Sequence, residues 1–277
     1  MHPTQDWEVI AQERHGHLRL KPSPHFGHSR YDNFAPLVLP EVVALAREAF
    51  ICFPNNQTDL PHMLLGFRKA DNAYVNDQGQ WLGHYVPAAI RRYPFRLAQH
   101  PDAAADEFQV VLDPKAAVLS PQDTKDKNDP KEGEPLFTEQ GQLSPAVQAR
   151  IKLLKAFELQ ARQTQEAVRL IERLGLFDME KLQIKKDSQQ LAGIGGLRMV
   201  NEARLQALDG AALHQLMQAG ALELLYAHKL SKANLQSGIL FGQLPKMAAE
   251  LPNQGKDPAG VVPLFDIGDD DLSFSFH

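Results

Sequence analysis

The sequence predicts an α+β protein, in which a strand-rich N-terminal portion packs with a mainly helical C-terminal portion and an extended acidic tail follows. Three observations predict it. Short apolar runs bounded by Pro, Gly and Asn crowd residues 14–115. A capped stretch with helical spacing fills residues 144–174. From Pro245 onward proline and glycine, then acids, replace any periodic apolar pattern. The expected organisation is a flexible N-terminus over 1–13, a single α+β domain over 14–240 and a tail over 241–277. Within the domain, 14–115 is strand-rich, 113–135 is a mobile loop and 136–240 is helical.

The first portion reads as follows. "HLRLK" (17–21) alternates and predicts a strand. "EVVALAREA" after Pro40 has helical spacing. "FICF" (50–53) and "HMLLGFR" (62–68) are apolar runs of buried-strand length. "NAYVNDQGQWLGHY" (72–85) predicts a hairpin, with Asp77 and Gly79 in the turn. "EFQVVLD" (107–113) predicts another strand. The sum, about five or six strands, is an ordinary sheet. Residues 113–135 are charged and proline-rich, the composition of a connector.

The second portion opens on the clearest element. Ser144 is a good N-cap, Pro145 suits the first helical position, and Gly175 supplies a left-handed stop. Val147, Ile151, Leu154, Ala161, Val168, Ile171 and Leu174 fall near one face. "LQIKKDSQQLAGIGGLRMV" predicts two short strands around a glycine-containing turn. "NEARLQAL" (201–208), "DGAALHQLMQAG" (209–220) and "ALELLYAHKLSKANLQSGIL" (221–240) predict three helices, the first two capped by Asn201 and Asp209.

Composition excludes several functions. Net charge is −5 with no basic run, so nothing has the footprint of a nucleic-acid binder. No segment approaches ~18 uninterrupted apolar residues, so no membrane span is expected. The N-terminus lacks the basic-then-apolar pattern of a secretory signal, and Cys52 is the single cysteine. A soluble, cytoplasmic protein is the expectation. "GIGG" (193–196) is not a dinucleotide fingerprint: the glycines lead into a strand and Arg198 holds the sixth position. Its expected role is a tight turn or close backbone packing. There is no Gly-Lys-Ser/Thr loop, no G-x-S-x-G elbow and no H-E-x-x-H. Cys52 lies between apolar neighbours and reads as a buried small hydrophobe. His214 and His228 lie on helices with one apolar side, the setting of a packed histidine. No catalytic residue, metal ligand or cofactor is assigned.

Two stretches carry binding chemistry. "YVPAAIRRYPF" (85–95) sets Arg91 and Arg92 among aromatic rings, and guanidinium groups recognise oxyanions and stack on such rings. If Tyr93–Leu97 is extended, Arg91 and Arg92 point opposite ways. One would then brace an internal acid and the other stay exposed. Trp81 and Tyr85, two strand steps apart, would share a face, an aromatic wall beside an arginine. Arg91, Arg92, Trp81, Tyr85 and Tyr93 form the candidate ligand site, for a small anionic or ring-bearing molecule. The tail, "FDIGDDDLSFSFH", joins Asp269, Asp270 and Asp271 to Phe274 and Phe276. Acid-plus-aromatic termini dock in basic, apolar grooves, so these residues are the candidate contact for a protein partner.

Three stretches carry a resemblance: "LLGFRKADNAYVNDQGQWLGHYVPAAIRRYPFRL" (64–97), residues 134–177, and "GIGGLRMVNEARLQALDGAALHQLMQAGALELLYAHKLSKANLQ" (193–236). Together they resemble the SapC family, named after surface-layer gene clusters. The pairing of "YVPAAIRRYPF" with "GALELLYAHKLS" is the specific part. The resemblance implies an accessory role, beside outer-membrane nutrient receptors and tryptophan-halogenase-like flavoproteins. It supplies no catalytic residues. The permease role that the family name also suggests conflicts with the lack of spans.

The reading that unites these features is a non-catalytic binding or accessory protein. Two alternatives stand beside it. One is a metal-dependent oxygenase using the early histidines His2, His15, His17, His25 and His28. The other is a structural protein of the surface layer.

Overall fold

The computed structural model describes residues 7–21, 25–55, 59–99, 108–121, 133–186, 189–245 and 274–276. Its first half holds β1 (Glu8–Val9), α1 (Gln12–His15), β2 (Leu18–Leu20), β3 (Phe34–Pro36), α2 (Leu39–Leu45), β4 (Ile51–Pro54), β5 (His62–Leu64), α3 (Ala88–Arg91), β6 (Phe95–Gln99), β7 (Phe108–Leu112), β8 (Leu119–Pro121) and β9 (Glu134–Pro135). Then follow α4 (Pro145–Arg173), β10 (Phe177–Lys186), β11 (Gln189–Val200), α5 (Glu202–Gln206), α6 (Gly210–Gln218), α7 (Ala221–Ser231), α8 (Asn234–Ser237) and β12 (Phe274–Phe276). The architecture is α+β, with antiparallel sheets. A six-stranded sheet runs β12-β10-β11-β4-β5-β3, and two three-stranded sheets run β1-β7-β6 and β8-β2-β9.

The helix α4 organises the packing. Ser144 caps it, its Oγ accepting from the Val147 amide, and Gly175 ends it at φ +66°. Its 29 residues span ~43 Å. Val147 and Leu154, near its start, pack with Leu18, Phe95, Leu112 and Leu136 from the two small sheets. Phe157 and Ala161 join Val38, Leu60 and Ala88. Ala167, Val168 and Ile171, near its end, enter the main core around Phe50, Phe53, Met63 and Leu197. One apolar stripe therefore serves three clusters in succession.

Several expectations need correction. Residues 72–85 do not form a two-stranded hairpin: a single bridge joins Val75 and Trp81. The turn between them is organised by Asn76, whose Oδ1 accepts from the Gln78 and Gln80 amides. The longest strands are β10 and β11, inside the portion expected to be mainly helical. Gly196, at φ +68°, is not their turn. It lies where their register slips between Glu180–Leu197 and Leu182–Ile194, a bulge that positive φ permits. Residues 221–240 form no single helix, because the chain turns after α7 into α8. There Asn234 Nδ2 donates to the Ala46 and Ala49 carbonyls (2.9 and 3.1 Å).

Candidate functional site

The segment 84–92 is held by two acids. Glu41 lies in the first turn of α2, and Glu48 lies just past its end. Glu41 Oε1 accepts from the Ala88 amide (2.6 Å) and from the Tyr85 hydroxyl (3.1 Å). Its Oε2 accepts from the Val38 amide (3.2 Å). Glu48 accepts from the amides of His84 (2.6 Å) and Tyr85 (2.8 Å). Burial pushes the Glu41 carboxyl above its ordinary range, and the donors around it pull the other way. These contacts stitch two chain segments 36 to 47 residues apart.

Arg91 completes this brace. Its Nε donates to the Val86 carbonyl (2.8 Å) and its Nη2 to the Tyr85 hydroxyl (2.9 Å). Glu41 Oε1 stands 3.9 Å from Nη2, on a side chain only 3% exposed. Trp81 Nε1 donates to the Tyr85 carbonyl (3.0 Å), and its ring stacks on Tyr74. Arg92 leaves the other way, over the ring of Phe157 (4.9 Å) with Glu158 at 3.8 Å. The two arginines diverge, but not because they alternate on a strand. Arg91 ends α3 and Arg92 caps it in helical conformation, so about 100° of rotation separates their directions. Arg92 is not an exposed contact either: its side chain is 30% exposed and packs on an aromatic face. Trp81 and Tyr85 do not share a strand face, because Tyr85 lies in a loop.

Tyr93 belongs to a different place. It lines a cleft of about 430 Å³ with His28, Asp113, Arg30, Asp77 and Lys115. The His28 and Tyr93 rings stack at 3.9 Å and 14°. The Tyr93 hydroxyl donates to Asp113 Oδ2 (2.7 Å), and Asp113 is buried at the end of β7. On the rim, Arg30 Nη2 donates to the Asn76 carbonyl (2.8 Å) and Nη1 stands 3.4 Å from Asp77 Oδ1. Gly79, at φ +74°, brings the Asn76 turn against His25, whose ring occupies the space a side chain would need.

Burial sets the protonation of this floor. It lowers the His28 pKa to about 4, so the imidazole is neutral at pH 7. The carbonyls of Ile90 and His25 oppose that shift in part, yet neither ring nitrogen has an aligned hydrogen-bond partner among the described residues. Burial also pushes the Tyr93 hydroxyl far up, with the Asp113 carboxylate in support. A neutral imidazole on a neutral phenol offers a stacking surface rather than a proton donor tuned for pH 7.

The remaining candidates are dispersed. His15 is buried and accepts from the Ala11 amide at Nδ1 (3.1 Å), while His17 and His25 are exposed. Among the described residues no three His, Cys, Asp or Glu side chains gather to hold a metal ion, and His2 lies outside those residues. Cys52 is fully buried, and burial drives its thiol pKa far above the ordinary value. His228 is buried on α7, with Nδ1 2.7 Å from the Ile51 carbonyl. Asp269, Asp270 and Asp271 lie outside the described residues. The backbone of Phe274–Phe276 runs antiparallel to β10, pairing Ile184 with Phe274 and Leu182 with Phe276.

Arg30, Asp77 and Asp113 escaped sequence reasoning as site residues. Asp77 is legible only as a turn residue, Asp113 only as the end of a strand, and Arg30 carries no local signal.

The described residues thus define an α+β protein with a cross-linked loop beside an aromatic-floored cleft. No described helix is long and apolar enough to cross a membrane. The chain belongs to the SapC family, whose model matches residues 10–237, a span containing both the loop and the cleft. No curated protein and no solved structure matches it.

Proposed function

We propose that this chain is an accessory binding protein that takes a small ring-bearing acid in the cleft floored by His28 and Tyr93. The carrying observation is the stacked, neutral pair beneath a charged rim. A planar ring gains from the aromatic surface, and an acidic group gains from Arg30 and Lys115 at the edge. The volume, about 430 Å³, suits a small molecule. Among Arg91, Arg92, Trp81, Tyr85 and Tyr93, only Tyr93 lines this cleft. Trp81, Tyr85 and Arg91 act by fixing the loop that presents it.

Saturation-transfer NMR with benzoate, cyclohexanecarboxylate and benzylamine tests this reading. Benzoate should bind best, and Tyr93→Ala and Arg30→Ala should each weaken it. A folded Tyr93→Ala protein that binds benzoate like the wild type sinks the proposal. A cytoplasmic location goes with it, and cell fractionation checks that. The tail, through Asp269–Asp271, Phe274 and Phe276, is proposed to engage a protein partner. Deleting 265–277 without changing the partners recovered in pull-down experiments would remove that part.

A further inference from the structure

Arg92 and Arg96 lie on either side of a tight turn, in which the Phe95 amide donates to the Arg92 carbonyl (2.9 Å). Each guanidinium is parked on an aromatic face: Arg92 over Phe157 at 4.9 Å, Arg96 over Trp7 at 4.4 Å. A guanidinium held over a ring gains cation–π attraction and still has its five N–H donors to offer an oxyanion. Among the described residues, neither side chain makes a hydrogen bond. The nearest carboxylate oxygen, Glu158 Oε1, is 3.8 Å from Arg92, beyond hydrogen-bond distance. Arg96 is close enough to Arg92 to repel its charge. Arg150 lies beside Arg91, its Nη1 donating to the Arg91 carbonyl (2.8 Å), and is not one of the pair.

Repelling cations are not held together on rings without consequence. Their donors reach solvent with no protein acceptor at hydrogen-bond distance among the described residues, and their repulsion falls when an anion bridges them. Two forks require several acceptor oxygens and more than one negative charge. A phosphate group offers both, whereas a single carboxylate offers two oxygens and one charge. We propose that Arg92 and Arg96 form a two-pronged site for a phosphate group, carried by inorganic phosphate or by a small phosphomonoester. Neither arginine lines the aromatic cleft. Trp7 links the two places, since its ring also meets Tyr93 edge-on at 6.4 Å.

The test titrates the full-length chain at low salt with inorganic phosphate and separately with phenyl phosphate. It follows heat and tryptophan fluorescence. Saturable binding should appear with at least one probe, and a response to phenyl phosphate alone would assign the source to an ester. Arg96 is exposed on an edge strand, so Arg96→Ala should fold, and it should weaken binding by at least ~10-fold. Arg96→Lys should recover part of that loss. Glu158→Gln removes the competing carboxylate and should tighten binding several-fold, a gain that a merely structural arginine would not produce. Trp7→Phe should abolish the fluorescence response while leaving the heat. Two results overturn the site: no saturable binding of either probe at millimolar concentration, or Arg96→Ala binding equal to wild type. Benzoate binding in the cleft should survive Arg96→Ala, so failure of one proposal leaves the other standing.

Discussion

The braced loop and the cleft meet at the peptide between Arg92 and Tyr93, and they follow opposite rules. In the brace, Glu41 and Glu48 accept from five backbone or hydroxyl donors, and Arg91 donates to two oxygens. In the cleft, the His28 nitrogens are buried without an aligned partner. Just beyond the brace, Arg92 and Arg96 carry donors without acceptors. Satisfied polar groups fix a backbone, whereas cations that face solvent remain open to an anion. The same short stretch therefore serves as joinery at one end and as a receiving surface at the other.

The sharpest way to break this comparison is to remove the joinery. Glu41→Ala leaves three donors, the Val38 and Ala88 amides and the Tyr85 hydroxyl, without their acceptor, and it should cost about 3–5 kcal/mol in urea unfolding. Glu41→Gln keeps acceptor capacity and should cost less. Wild-type stability in Glu41→Ala would reduce the brace to a set of incidental contacts.

Acid separates the two regions by sign. The His28 pKa falls from 6.5 to about 4 on folding, and that of buried His228 falls likewise. The unfolded chain binds protons first, so stability present above about pH 6.5 is lost as pH falls toward 4, on the order of 3 kcal/mol per histidine. Glu41 acts oppositely: its raised folded pKa gives stability that is present below 4.5 and lost as pH rises through the folded value. Urea midpoints measured from pH 7 to 4 should fall, and His28→Gln should flatten the slope. A profile unchanged by His28→Gln would show that the cleft histidine is not held neutral.

Tyr93→Phe removes the hydroxyl that bonds Asp113 and leaves the ring stack, so it should cost about 1–2 kcal/mol. The smallest effect belongs to the rim. Asp77→Asn should leave the melting temperature unchanged, because the Arg30–Asp77 contact is exposed. It should change only the affinity of the cleft for acids.

Local signals made α4 legible: Ser144, Pro145, Gly175 and the stripe between them all lie within one stretch of chain. The α+β class followed from such local patterns. The brace was not legible, because it needs two acids, one in α2 and one just past it, to meet amides 36 to 47 residues later. "PAAIRR" did contain a signal that went unused: a proline followed by good helix formers, which opens α3. Reading Tyr93–Leu97 as extended gave the right divergence of Arg91 and Arg92 for the wrong geometric reason. The cleft was the least legible, since His28, Asp77, Tyr93 and Asp113 come from four separated segments.

The helix α4 also sets an order in time. Strands β2, β6 and β7 leave the ribosome before it, and the apolar faces of Leu18, Phe95 and Leu112 have no cover until Val147 and Leu154 arrive. A growing chain that stops short of α4 carries two small sheets with bare undersides. Helix formation itself is fast and local, but docking this one closes loops reaching back more than a hundred residues, which slows assembly. The order of synthesis thus predicts a vulnerable interval before α4 emerges, when those apolar residues lack the helix that covers them.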